Sequence, residues 1–264
     1  RDGPARRVVA LAPNLAEIVA DVGGAERLVG ISSYGGAPEG TSSAERVGGF
    51  VDPSIERIIS LRPDLVIGVP LQRAALASCR AAGLRTVEIA CETLDEALAA
   101  YGVIGAVLGL DESAGAARSR LAARLDRVRE RGASRQQPRT LLLLGRAGED
   151  FQQVFPVTPG NFCDELLTIA GGRNVLDRAA GSVSAESVIA LAPEVVIEVA
   201  MDAEGDAPPE RLDPSPVWAR LGSVPAVRGG RLYALSTSSL LVPGPRMAEG
   251  AELLAGLLHP DEGR

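Results

Sequence analysis

Apolar residues in this chain come in two patterns. Short unbroken aliphatic runs, the mark of parallel strands buried on both faces, alternate with stretches in which apolar residues recur every three or four positions, the mark of amphipathic helices. Strands are predicted at Val8 to Leu11, Leu28 to Ile31, Leu65 to Ile67, Arg85 to Ala90, Thr140 to Leu144 and Val195 to Ile197, with an edge strand at Arg231 to Leu235. Helices are predicted through Glu17, Ile18 and Val22 up to Gly23-Gly24, and over Leu71 to Ala82, Leu94 to Leu110, Asp111 to Arg131 and Met247 to Leu258, with a short one at Trp218 and Leu221. Strands alternating with helices predict the α/β class.

One unit occurs twice. Ser54 to Ile67 reads SIERIISLRPDLVI and Ser184 to Ile197 reads SAESVIALAPEVVI, identical at seven of fourteen positions. Each copy opens on a serine suited to cap a helix and runs through a short apolar face, Ile58, Ile59 and Leu61 or Val188, Ile189 and Leu191. A proline then ends the helix before a buried strand. Glu17 to Gly24 (EIVADVGG) and Glu165 to Gly172 (ELLTIAGG) repeat in the same order upstream. The chain therefore divides into an N-terminal α/β lobe (1–110), a connecting helix (111–132) and a C-terminal α/β lobe (133–264). The helix Asp111 to Arg131 carries Ala117, Leu121, Leu125 and Val128 on one face and would extend roughly 30 Å, enough for a stiff connector. Largely parallel sheets flanked by helices, with a ligand cleft between the lobes, is the expected architecture.

Both copies of the repeat hold a glutamate two residues after the cap, Glu56 and Glu186. In a first helical turn a carboxylate gains roughly 0.3–1 kcal/mol from the helix dipole. Its retention in two diverged copies also admits a functional reading, and both stand at this point.

Composition is ordinary for a globular protein, 46% hydrophobic and 23% charged. The net charge of -7 excludes a nucleic-acid or anionic-membrane surface, which needs a basic patch. All 27 basic residues are arginine, so any cationic contact comes from a guanidinium. Cys79, Cys91 and Cys163 show no metal-site or disulfide-framework spacing; buried free thiols are expected, with a bridge between Cys79 and Cys91 left open. No apolar run spans a bilayer and no signal peptide opens the chain, so a cytoplasmic protein or a mature exported one is expected.

Catalytic chemistry is sparse. His259, the single histidine, stands beside Pro260 at the end of the last helix, where a helix-end cation or a solvated terminus is expected. There is no Walker loop, GxGxxG, HExxH or GxSxG. Neither catalytic residues nor a metal site are expected. Binding is better supported, with candidate walls at Ser32 to Gly36, Gly49-Phe50, Gly145 to Gln152 and Ser236 to Arg246 (STSSLLVPGPR), the last combining hydroxyls, exposed aliphatics and an arginine.

The doubled SxE unit with LxPDLVI, GGRNVL at Gly171 to Leu176 and the PGPR ending at Arg246 resemble the class III periplasmic substrate-binding proteins of ABC importers, from Val8 to Pro260. VGISSY, Val29 to Tyr34, is most similar to the vitamin B12-binding members. The resemblance implies a two-lobed, monomeric, non-enzymatic receptor, periplasmic or extracellular and membrane-associated, that delivers a small ligand to an ABC permease. It implies that Glu56 and Glu186 pair with permease arginines, one lobe to each subunit. For the ligand it implies contacts from Ser33, Tyr34, Phe50, Val69, Arg146, Ser238, Ser239, Leu240, Leu241, Val242 and Arg246. That ligand is a corrinoid, with a ferric siderophore met by Arg73, Arg146 and Arg246, or haem ligated by Tyr34, as alternatives; no catalytic cofactor is implied. Val69 and Ser239-Leu240 stand where those members have aromatic rings. A redox protein or enzyme on a related fold, and a sensor that has lost transport, are the competing classes.

Overall fold

A computed structural model describes residues 3–147, 153–178, 183–200, 210–211 and 216–260. The chain forms two compact units, Arg1–Ala123 with Val242–Pro245, and Arg124–Leu241 with Arg246–Arg264. The first division falls inside the long helix and the second inside the STSSLLVPGPR segment.

In the first unit the elements are β1 (Val8–Ala10), α1 (Pro13–Asp21), β2 (Leu28–Ile31), β3 (Glu45–Arg46), α2 (Ile55–Ser60), β4 (Leu65–Gly68), α3 (Arg73–Ala81), β5 (Thr86–Glu88), α4 (Leu94–Leu108) and the start of α5 (Asp111–Gly132). Its sheet is wholly parallel, in the order β3-β2-β1-β4-β5. Every residue of β1 and β4 is buried, as their unbroken aliphatic runs require. Val9, Leu11, Ile58, Val66 and Leu76 meet in one core on a sheet face.

The second unit holds β6 (Arg139–Ala147), β7 (Gln153–Pro156), α6 (Phe162–Ile169), β8 (Arg173–Asn174), α7 (Ala185–Leu191), β9 (Val195–Val199), β10 (Glu210–Arg211), α8 (Pro216–Ala219), α9 (Pro225–Arg228), β11 (Leu232–Leu235) and α10 (Met247–Leu258). β6, β9 and β11 are parallel neighbours, and β8 pairs parallel with the start of β6. This repeats the arrangement of β1, β4, β5 and β2. β7 and β10 add antiparallel strands, and β10 covers the strand expected to be an edge. Trp218 is fully buried among Leu141, Val188, Val196 and Leu232, its indole N–H donating to Glu198 at 3.1 Å. Most of the loop expected at Glu204 to Pro216 lies outside the described residues.

The repeat holds its helix by the same contacts in both units. Ser54 and Ser184 cap α2 and α7, accepting from the N–H of Arg57 and Ser187. Each helix ends on a left-handed residue, Arg62 (φ 48°) or Ala192 (φ 45°), followed by proline, and these are the two non-glycine residues of positive φ among the described ones. Side chains other than glycine enter this region at a cost of roughly 1–2 kcal/mol. A staple offsets it. The Arg7 guanidinium donates to the carbonyls of Leu61 (2.7 Å) and Arg62 (3.3 Å), and Arg139 donates to that of Leu191 (2.6 Å). Asp64 accepts from the N–H groups of Arg6 and Arg7, and Glu194 from that of Arg139.

Two expectations are corrected. Ile58 and Val188 are buried, but Ile59 and Ile189 are not on the core face: they are 41% and 44% exposed. His259 is no helix-end cation, because its ring lies against Gly171 with Nε2 buried and without a hydrogen-bond partner. Burial foremost, then the charges of Arg135 and Arg231, holds its pKa below the ordinary histidine value. The cysteines are all free and buried. Burial raises all three thiol pKa values, that of Cys91 to about 12.

A folded-state pKa below the unfolded one means that the unfolded chain takes up the proton first as pH falls. His259 therefore contributes stability that is complete above about pH 6.5 and is lost below it. In urea denaturation the advantage of the native chain over His259→Asn is expected to shrink from pH 7.5 to pH 5.5; a constant difference would contradict this.

Candidate functional site

Parallel α/β folds place ligands at the carboxyl ends of their strands, and the predicted ligand residues fall in loops there, except Arg146, which lies near the end of β6 itself. In the first unit, β2 runs into Ser32 to Gly36. The Arg46 side chain braces this loop by donating to the carbonyls of Ser32 and Gly35. Ser33 is exposed, and its N–H donates to the Gly48 carbonyl at 2.7 Å. Tyr34 is 44% exposed and its ring stands 6.2 Å from that of Phe50, tilted by 48°, a favourable aromatic arrangement.

Phe50 is carried on a tight loop closed by a bridge between Gly48 and Pro53. Gly48 has φ 119°, and a Cβ there would stand 2.8 Å from the Ser54 nitrogen, so only glycine makes the turn. The loop is anchored by Gln72. This buried side chain donates to the carbonyls of Leu11 and Phe50, both at 2.8 Å, and accepts from the Val69 N–H at 3.1 Å. One amide thereby joins the end of β1, the aromatic loop and half-buried Val69. Val51, 74% exposed, follows Phe50 in the chain, and Leu71, 69% exposed, precedes Gln72 itself. Gln72, Val51 and Leu71 were not among the predicted residues. Gln72 opens a predicted helix, and nothing in its local pattern shows that its amide reaches residues 22 and 61 positions away.

In the second unit the late loop is internally satisfied. Thr237 and Ser239 are buried and hydrogen-bonded to each other at 2.8 Å. The Leu241 N–H closes a turn on the Ser238 carbonyl, and the Cys163 thiol donates to the Leu240 carbonyl. The expected exposed aliphatics are corrected here: Leu240 is fully buried against α10, where a Cβ on Gly250 would lie 2.8 Å from the Ser239 carbonyl oxygen. Leu241 is half-buried. Arg246 donates to the Ser238 hydroxyl, and both side chains are half-buried. Val242 belongs to the first unit and is buried.

The arginines separate in character. Arg73 makes a bidentate pair with Glu88, at 2.8 and 2.6 Å, that raises its own pKa and lowers that of Glu88. Arg73 is therefore committed to a carboxylate. The Arg146 side chain, and 148–152 of the expected wall, lie outside the described residues. A cavity of 190 Å³ in the second unit is lined by Gln136, Pro138, Glu194, Arg231, Leu258 and His259. Pro138, Glu194 and Arg231 immediately precede strands, so it opens at the amino ends, away from the predicted ligand loops.

Glu56 and Glu186 sit at corresponding positions in α2 and α7, exposed and without an ion-pair partner among the described residues. No described helix is long and apolar enough to cross a membrane.

The model of a family described as periplasmic binding protein matches residues 8–238. The vitamin B12-binding protein of Vibrio cholerae is 26% identical over 255 residues, covering 94% of this chain and 87% of that protein. The structure of a periplasmic haem-binding protein from Pseudomonas aeruginosa superposes with a TM-score of 0.82 at 26% identity, covering 97% of this chain and 94% of the other. That of the periplasmic vitamin B12 binding protein of Vibrio cholerae does so with 0.81 at 25%, covering 99% of both.

Gln72→Leu keeps the volume and removes the amide. It leaves the buried carbonyl of Leu11 and the half-buried groups of Phe50 and Val69 unmatched and is expected to cost about 2–3 kcal/mol in denaturant unfolding. A loss under about 0.5 kcal/mol would show that the amide anchors nothing.

Proposed function

The chain belongs to the periplasmic binding protein family, whose members bind rather than catalyse, and from that premise we propose that it is the extracytoplasmic substrate-binding protein of an ABC importer for a corrinoid. The observation that carries the ligand class is the aromatic and aliphatic surface that Tyr34, Phe50, Val51 and Leu71 present. A corrin is largely apolar with amide fringes. It can lie against such side chains while its amides meet the Ser33 hydroxyl; on the second unit, taken by itself, the Ser238 hydroxyl and the Arg246 guanidinium are the polar groups we propose for a ligand. The Vibrio cholerae vitamin B12-binding relative supports the same choice. We assign the remaining contacts to Val69, Arg146 and Leu241, and to Ser239, Leu240 and Val242 through their backbone.

Haem is the second reading. The haem-binding relative is equally similar in sequence, and Tyr34, 44% exposed, is a side chain of the kind iron accepts as a ligand. A ferric siderophore is disfavoured by the commitment of Arg73 to Glu88. The protein acts as a monomer outside the cytoplasm and hands its ligand to a permease, with Glu56 and Glu186 each meeting an arginine of the partner. Unpaired exposed carboxylates are suited to that task, since charged pairs across an interface steer encounter and fix register.

Calorimetric titration with cyanocobalamin is expected to give one-to-one binding that falls at least about tenfold in Tyr34→Ala. Heat with haemin and none with cyanocobalamin would replace the corrinoid by haem. Glu56→Ala combined with Glu186→Ala is expected to abolish uptake while ligand affinity stays unchanged; normal import by that variant would overturn the docking assignment.

A further inference from the structure

Two identical side chains in the repeat are not packed into the core. Of the seven residues shared by Ser54 to Ile67 and Ser184 to Ile197, the serine caps a helix, the leucine is half-buried, and the proline, valine and second isoleucine are buried at the start of the strand and within it. That leaves the glutamate and the first isoleucine. Glu56 and Ile59 are exposed on α2; Glu186 and Ile189 are exposed on α7.

The other exposed positions of the same helices have diverged. Arg57 corresponds to Ser187 and Ser60 to Ala190. A single exposed aliphatic is ordinary. The same isoleucine at the same register of two copies, beside a carboxylate that has no ion-pair partner among the described residues, is not explained by core packing. Residues three apart on a helix are surface neighbours, about 5–6 Å between Cβ atoms. Each helix therefore presents one anion and one branched apolar side chain on one patch. The backbone beneath is held by the left-handed turn at Arg62 or Ala192 and by the guanidinium of Arg7 or Arg139 on the helix's last carbonyls.

We propose that Ile59 and Ile189 are docking residues, each seating in an apolar socket beside the arginine of a permease subunit that receives Glu56 or Glu186. The inference rests on the docking reading above and adds to it. The isoleucine shields the ion pair from water, where an exposed pair alone contributes little, and supplies the burial that a charge pair lacks. A partner built from two like subunits needs two such sockets. The lack of matching side chains at the diverged positions confines the recognition to this pair of residues in each copy.

The test uses the full chain and its own permease in lipid nanodiscs. Ile59→Ser with Ile189→Ser is expected to weaken permease binding about tenfold per site, with ligand affinity and melting temperature unchanged. Ile59→Leu with Ile189→Leu is expected to restore most of the binding. Native permease affinity in the serine variant, beside a loss in Glu56→Ala with Glu186→Ala, would overturn this inference and leave the carboxylate docking intact. Native affinity in the alanine variant would remove the docking reading itself. Loss of ligand affinity or of melting temperature in the serine variant would assign the isoleucines to the fold and overturn the proposal.

Discussion

The guanidinium that reaches from the leading strand to the end of the repeated helix is the contact on which each unit depends. Arg7 and Arg139 place a fixed positive charge on carbonyls that have no partner within the helix, at its negative end. The carboxylates of Asp64 and Glu194 receive the N–H groups of Arg6 and Arg7, just before β1, and of Arg139 at the start of β6. Without these contacts a helix of six or seven residues would be marginal, since short helices take their stability from their surroundings. With them, a left-handed residue and a proline are held where the chain must turn from helix to strand within a few positions.

What the helix displays follows from how it is held. Ile58 and Val188 face the sheet with no exposure, so the residues one position beyond them are turned outward. The carboxylates lie a turn earlier on the exposed side. At the carboxyl ends of the strands, Gln72 performs a comparable task by other means. It ties the aromatic loop to the first strand with a single neutral amide, leaving Tyr34 exposed beside the half-buried Phe50. In the second unit the loop after β11 satisfies itself through Thr237, Ser239 and the Cys163 thiol. The two units therefore share a scaffold and differ in the loops at the carboxyl ends of their strands.

Much of the scaffold was legible in the chain. Aliphatic runs located β1, β4, β6 and β9 because a strand buried on both faces leaves no position for a polar residue. The repeat located α2 and α7 because serine and proline bound them locally, and α10 was placed at its observed limits. Side-chain direction within a single turn was not legible: IleIle and ValIle read as one apolar face, yet only the first of each pair is buried. The edge assigned at Arg231 to Leu235 missed β10, a two-residue strand too short to carry a pattern. Gln72 and the arginine staples escaped notice because their partners are far away in sequence. Leu240 seemed to belong to an open loop because a glycine four residues into α10, which admits it to the core, looks like any other.

The burial of Cys79, Cys91 and Cys163 has a consequence for how the chain survives outside the reducing cytosol. Thiolates, not thiols, attack disulfides, and each of these groups is kept protonated by its apolar surroundings. Concealment thus stands in for pairing. Oxidants reach the sulfur only when the structure opens, so the pace of thiol modification is a clock for unfolding. Cys79 lies in the first unit's core and Cys163 in the second unit's α6, and the same clock therefore reads the two halves separately.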